Sequence, residues 1–258
     1  MTKKLWLVLA ALSVLVWTPM TAQRDSLRVF IRAGEKTHGP AGNGEHDYPT
    51  FLNDWTRLLT GRGASVQGAL RFPTADELAK TDVMIIHKGD GGTCSPSERA
   101  TLDAFTKRGG GLVILHDGMC SDDAAWFSTV AGAAKQHGEP NWARGVLKMH
   151  FVDNAHPITR GLQDFEFGDE AFFMLRTTPQ MRALVTTEIP QKGEVVPQAW
   201  IYEHTQQGGQ PYRAFVSMQA HYYKNFSQPT YQELLLRGIA WAGKRDVSML
   251  LAKSSSSR

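Results

Sequence analysis

Gly109-Gly110-Gly111-Leu112-Val113-Ile114-Leu115-His116-Asp117-Gly118 reads as a glycine turn, a buried strand and a histidine–aspartate pair where the strand ends. In an open α/β sheet, ligands bind just beyond the carboxyl ends of the strands, so His116 and Asp117 stand where chemistry is expected. His38, His46 and His221 can converge on the same face. A histidine-rich site at the mouth of a parallel sheet is the expectation.

Upstream of that stretch, strands and helices alternate. Residues 27–33 form a β-branched, apolar first strand. Across 48–59, Phe51, Leu52, Trp55, Leu58 and Leu59 fall on one helical face, and Gly61 and Gly63 stop the helix. A weaker strand over 65–70, a short helix over 74–80 and a third strand over 83–87 follow. Ser95-Pro96-Ser97-Glu98 carries a helix cap, a first-turn proline and the glutamate of a capping box, so the next helix starts there and ends near Gly109. This alternation predicts parallel strands joined by right-handed crossovers. Beyond residue 130 the pattern loosens: strands over 148–152, 182–187, 198–202 and 213–218, several of them antiparallel or at an edge, precede a last helix over 231–241.

Of the 258 residues, 42% are hydrophobic and 21% charged, the balance of a soluble domain of one large core. Lys3 and Lys4 precede an apolar run over 5–17 and then Thr18-Pro19-Met20-Thr21-Ala22, the order of a secretory signal. That run is short for a membrane span. The expected division is a signal peptide over 1–22, cleaved near Ala22, a single domain over 23–247 and a disordered tail over 248–258. The mature protein is then periplasmic or secreted, with no stable membrane anchor. Losing Lys3 and Lys4 takes the formal charge from +3 to +1, and no basic cluster suggests nucleic acid. Export permits a disulfide between Cys94 and Cys120, each just beyond a strand end; spacing leaves that pairing open.

Four segments in order resemble the ThuA-like (trehalose utilisation) family of the class I glutamine amidotransferase-like superfamily. They are His38-Gly39 with Glu45-His46-Asp47; the stretch 82–116; His156-Pro157-Ile158-Thr159-Arg160-Gly161-Leu162 with Asp169-Glu170; and Ala199-Trp200, Met218, His221 and Arg237-Gly238-Ile239-Ala240-Trp241-Ala242. The resemblance implies an α/β, flavodoxin-like, doubly wound and mostly parallel sheet in three layers. It also places His116 near the point where amidotransferases carry a cysteine on a sharp strand-to-helix turn. No thiol stands there, and Cys120 lies four residues on, so Cys-dependent amidotransferase chemistry is not expected. Phe172 stands where the family leads one to expect a tyrosine.

Imidazole and carboxylate without thiolate suit Zn, Mn, Fe or Ni. His38, His46, His116 and His221 are the candidate ligands, although His38 and His46 lack the one-turn spacing of a helical pair. With or without a metal, His116, Asp117, Glu170 and His221 form a candidate acid/base set, and Asp169, His137, Trp142 and Tyr222 candidate contacts to a small carbohydrate. His156, fixed by Pro157, reads as structural, whereas His87 ends the strand beside His116 and could line the site. The family's association with keto-sugars implies an enzyme acting on a glycoside or keto-sugar. A non-catalytic sugar-binding protein using the same pocket is the alternative.

Overall fold

The periodicity of the first half folds as it reads. In the computed structural model, which describes residues 26–252, β1 (Arg28–Ala33), α1 (Tyr48–Thr60), β2 (Ser65–Ala69), α2 (Ala75–Ala79), β3 (Val83–His87), α3 (Pro96–Lys107) and β4 (Gly111–Leu115) alternate along the chain. Ser95 accepts from the Glu98 amide while the Glu98 carboxylate accepts from the Ser95 amide, so the expected capping box starts α3.

A 3₁₀ turn over His116–Met119 then leads to β5 (Cys120–Ser121), α4 (Ala124–Ala131), β6 (Ala133–Gln136), β7 (Trp142–Phe151), β8 (Phe165–Phe172), β9 (Arg176–Thr177), β10 (Arg182–Glu188), β11 (Val195–His204) and β12 (Tyr212–Ser217). A second 3₁₀ turn over Tyr223–Ser227 precedes α5 (Pro229–Ala242).

Nine strands make the main sheet, in the order β2-β1-β3-β4-β12-β11-β10-β7-β8. The first five run parallel in the 2-1-3-4-5 order of flavodoxin-like folds. The last four add on antiparallel. The sheet is therefore half parallel, not mostly parallel. The short connections from β10 to β11 and from β11 to β12 leave no room for crossover helices and impose antiparallel pairing there.

Strand alternation sends two sets of side chains to two cores. Val29, Ile31, Ile85, Val113 and Leu115 meet α1 and α5 on one face, whereas Met84, Ile86, Leu112 and Ile114 meet Leu78, Leu102, Phe105 and Phe127 of the helices on the other. This makes the three layers. Gly111 has a specific reason to be glycine: a Cβ there would lie 2.2 Å from the Ala242 carbonyl oxygen, where the end of α5 closes on the sheet.

The signal peptide and its cleavage point lie outside the described residues. The expected tail needs correction at its start. Leu250 is fully buried, and Arg62 donates to the Leu250 and Leu251 carbonyls, so residues 248–252 belong to the domain. Cys94 and Cys120 are both buried free thiols in this structure.

Candidate functional site

Four loops leaving the carboxyl ends of β1, β3, β4 and β12 supply His38 and His46, Asp90, His116 and Asp117, and His221. Backbone strain collects in them. Of the eight non-glycine residues with positive φ among the described residues, five are His38, His46, Asp90, His116 and Ala220. Each such residue costs on the order of 1 kcal/mol or more and persists where surrounding contacts overdetermine it, as at functional sites. His116, at φ 49°, is the first residue of the turn after β4 and holds the elbow position with an imidazole. Gly118 allows that turn to seat: a Cβ there would come within 2.7 Å of the Ile86 carbonyl oxygen.

Three imidazole nitrogens meet at one point. His46 Nε2 lies 3.0 Å from His116 Nε2 and 2.8 Å from His221 Nδ1, and the last two are 3.3 Å apart. His116 Nδ1 is 2.8 Å from the Met218 carbonyl, which can only accept, so Nδ1 carries a proton and Nε2 faces the other two rings. His46 Nδ1 meets the Thr37 hydroxyl at 3.0 Å with an Asp117 carboxylate oxygen 3.6 Å away, partners that favour the same tautomer. His221 Nε2 is buried and has no hydrogen-bond partner. Burial first, then the neighbouring His116, hold His46 and His221 below the ordinary histidine range, His221 at about 3. Both rings are therefore neutral at physiological pH.

Two carboxylates face the trio. Glu170 Oε2 is 3.7 Å from both His116 Nε2 and His221 Nδ1, and Asp117 Oδ1 is 3.6 Å from His116 Nε2. Arg144 Nε donates to the other oxygen of Glu170 at 3.1 Å and so aims Oε2 inward. Burial raises the Glu170 pKa against the opposing pull of His116 and Arg144.

These residues fit a divalent ion. Three nitrogens around a tetrahedral ion with bonds of about 2.0–2.1 Å are about 3.3 Å apart, close to the distances here. Among the described residues, His46–His116–His221 and His116–Asp117–Glu170 are the two groups compact enough to share an ion.

An open cavity of about 400 Å³ lies above the trio, within the size range of small-molecule sites. His38, His46, Asp117, His137, Trp142, Glu170 and His221 line it, as do Asp90, Cys120, Lys135 and Arg144. Several expectations change. His116 is fully buried and absent from the lining, so it holds and orients from beneath rather than touching a ligand. His38 sits at the rim with its ring 4.0 Å from that of His46, outside both ion-sharing groups.

Asp169 contacts no ligand space either. It is buried and accepts from the Glu170, Ala220 and His221 amides and from Asn225 Nδ2, which pins the loop carrying His221 to β8. Tyr222 packs edge-on against His221 and bridges Glu45 through its backbone instead of lining the cavity. His137 pairs with Asp90 at 2.6 Å on the rim, and Trp142 stays about half exposed there. His87 lies in the core against Tyr48 and Phe51, and His156 against Trp241, so neither serves the site.

Arg144, Lys135 and Asp90 were missed. Arg144 alternates outward with Trp142 on β7, a weak strand signal that sequence alone could have offered. Cys120 is buried and hydrogen-bonds Asp117, and burial with that carboxylate pushes its thiol well above the usual range. It is no thiolate nucleophile.

The ThuA profile, described as trehalose utilisation, matches residues 41–242. No curated protein matches the sequence. Among solved structures, the chain is similar to a thua-like protein from Bacteroides uniformis ATCC 8492, with TM-score 0.67, 17% identity, and 91% of this chain and 100% of that chain covered. It is also similar to a thua-like protein from Parabacteroides merdae ATCC 43184, with TM-score 0.65, 14% identity, and coverage of 84% and 90%. A catalytic mutant of Gan42B, a GH42 β-galactosidase from G. stearothermophilus, shares the fold over 82% of this chain and 30% of its own, with TM-score 0.50 and 15% identity.

Proposed function

The chain belongs to the ThuA family, and from that premise we propose that it is a carbohydrate-processing enzyme whose site is built to hold a divalent metal ion on His46, His116 and His221. The observation that carries this reading is the convergence of three imidazole nitrogens within 3.3 Å of one another, faced by Glu170 and Asp117. A sugar-binding surface without chemistry does not require such a cluster. Bound Zn, Mn, Fe or Ni would supply a Lewis acid for a carbonyl or hydroxyl oxygen of the sugar.

The side chains divide the remaining work. Glu170, with Oε1 held by Arg144 and its pKa raised by burial, is placed to take or return a proton at the sugar through Oε2. A ketone acidifies the adjacent C–H, so a keto-sugar gives that carboxylate a proton within its reach. Asp117, part-exposed on the cavity wall, is a second proton carrier. Trp142 offers a ring face at the rim against which a pyranose C–H face can stack. The N-terminal sequence supports a periplasmic or secreted place of work.

Elemental analysis of residues 23–258, purified without chelator or affinity histidines, tests the reading beside a His116→Ala, His221→Ala double variant. Near-stoichiometric metal in the wild type and none in the variant is expected. No metal in either, after incubation with each ion, overturns the metal-assisted reading. Calorimetry with keto-sugars then tests the substrate: absence of binding to any of them overturns the keto-sugar reading.

A further inference from the structure

Lys135 breaks the pairing pattern of the cavity. Glu170 is matched by Arg144, Asp90 by His137, and the Glu139 carboxylate by Arg176 and Asn141. Lys135 lines the same cavity and is only 6% exposed, yet among the described residues it has no carboxylate partner within 4.0 Å. Its one hydrogen bond goes to the Glu139 carbonyl at 3.0 Å. An ammonium has three donors, and lysines are almost never buried without a counter-charge. Two of its donors are left without an acceptor among the described residues.

The surroundings say what would meet them. The Phe172 ring centroid is 5.3 Å from Lys135 Nζ and 5.2 Å from the His116 ring centroid. One apolar ring thus contacts both the lysine and the trio, and a ligand reaching both passes beside it. Cys120, in register with Lys135, is a buried neutral thiol and supplies no charge.

We propose that Lys135 is an anion subsite and that the carbohydrate acted on carries a carboxylate: a sugar acid whose carboxylate pairs with Lys135 while its reacting carbon faces Glu170 and the imidazole trio. This rests on the carbohydrate reading above and narrows it. The ligand completes the charge balance of the pocket, because burying an ammonium is costly unless a partner compensates it. Neutral sugars of the same shape leave that charge unmet.

Isothermal titration calorimetry of the metal-loaded protein with D-glucuronate, its methyl ester, D-glucose and acetate tests the proposal. Glucuronate should bind about tenfold or more tightly than glucose or the ester, the ratio that one charge-assisted hydrogen bond supplies. Lys135→Met should abolish the preference and Lys135→Arg keep it, both with wild-type metal content and melting temperature. Equal affinity for glucuronate and its ester overturns the proposal on wild-type protein alone, even if Lys135→Met does not fold. So does a preference that survives Lys135→Met. Acetate bound in a Lys135-dependent way, with no sugar bound, keeps the anion subsite and overturns the carbohydrate reading. Sugar binding without preference for the anion does the reverse, and absence of all anion binding overturns the subsite.

Discussion

β3 and β4 lie side by side in parallel register, Ile86 opposite Ile114, and a histidine stands at the end of each. Their fates are opposite. His87 is the last residue of its strand, so strand alternation sends it into the core with Ile85, where Tyr48, Phe51 and Phe226 surround it. Burial and the nearby His116 hold it at about 3. His116 is one step further along, past its strand, and a positive φ swings it into contact with His46 and His221. A strand end thus does not make a site; the turn after it does.

The largest test of that contrast is His116→Ala. It should lower metal affinity more than about 100-fold, beyond the effect of removing an outer hydrogen-bond partner, with the fold intact by circular dichroism. A chelator competition that leaves affinity unchanged would remove His116 from the ligand set. His87→Ala should do the converse. It empties part of a core and should cost about 3 kcal/mol of stability in urea, with metal content unchanged. Metal loss there would mean that the two strand ends are coupled.

Gly118→Ala probes the turn itself. Pressing a methyl against the Ile86 carbonyl should cost about 2 kcal/mol and shift His116, so metal affinity and stability fall together. Loss of stability alone would separate the turn from the site. The last test is electrostatic. His87 is neutral in the folded protein down to about pH 3, whereas in the unfolded chain it takes a proton near 6.5. The unfolded state then binds the extra proton, so its contribution to stability is full above pH 6.5 and declines as pH falls toward 3. Metal-free wild type should therefore lose up to about 1.4 kcal/mol per pH unit more than His87→Phe over that window. Parallel stability–pH curves for the two would place the acid sensitivity elsewhere.

The parallel half was legible because each of its elements announces itself locally: the apolar face of α1, the Ser95–Glu98 cap and the glycines before β4. The imidazole trio was legible in membership but not in arrangement. His38 and His46 looked alike in sequence, and only the fold of their loop separates a rim residue from a member of the trio. The antiparallel ribbon was harder. Asp169 and Glu170 are neighbours on β8, yet alternation sends one carboxylate to anchor the His221 loop and the other to face the trio. Reading them apart requires knowing that they lie in a strand, and Gly168 with two acids argues locally for a loop. Lys135 gave no signal, since its importance lies in partners it lacks.

The separation of the trio along the chain has a consequence for synthesis. His46 and His116 are 70 residues apart, and His221 follows 105 residues later. A chain growing from its N-terminus carries two of the three imidazoles long before the third exists. The strand that seats the third, β12, must insert between β4 and β11 before His221 can reach the others. The full trio therefore forms only once β12 is in place, and a truncated chain presents two of the imidazoles at most.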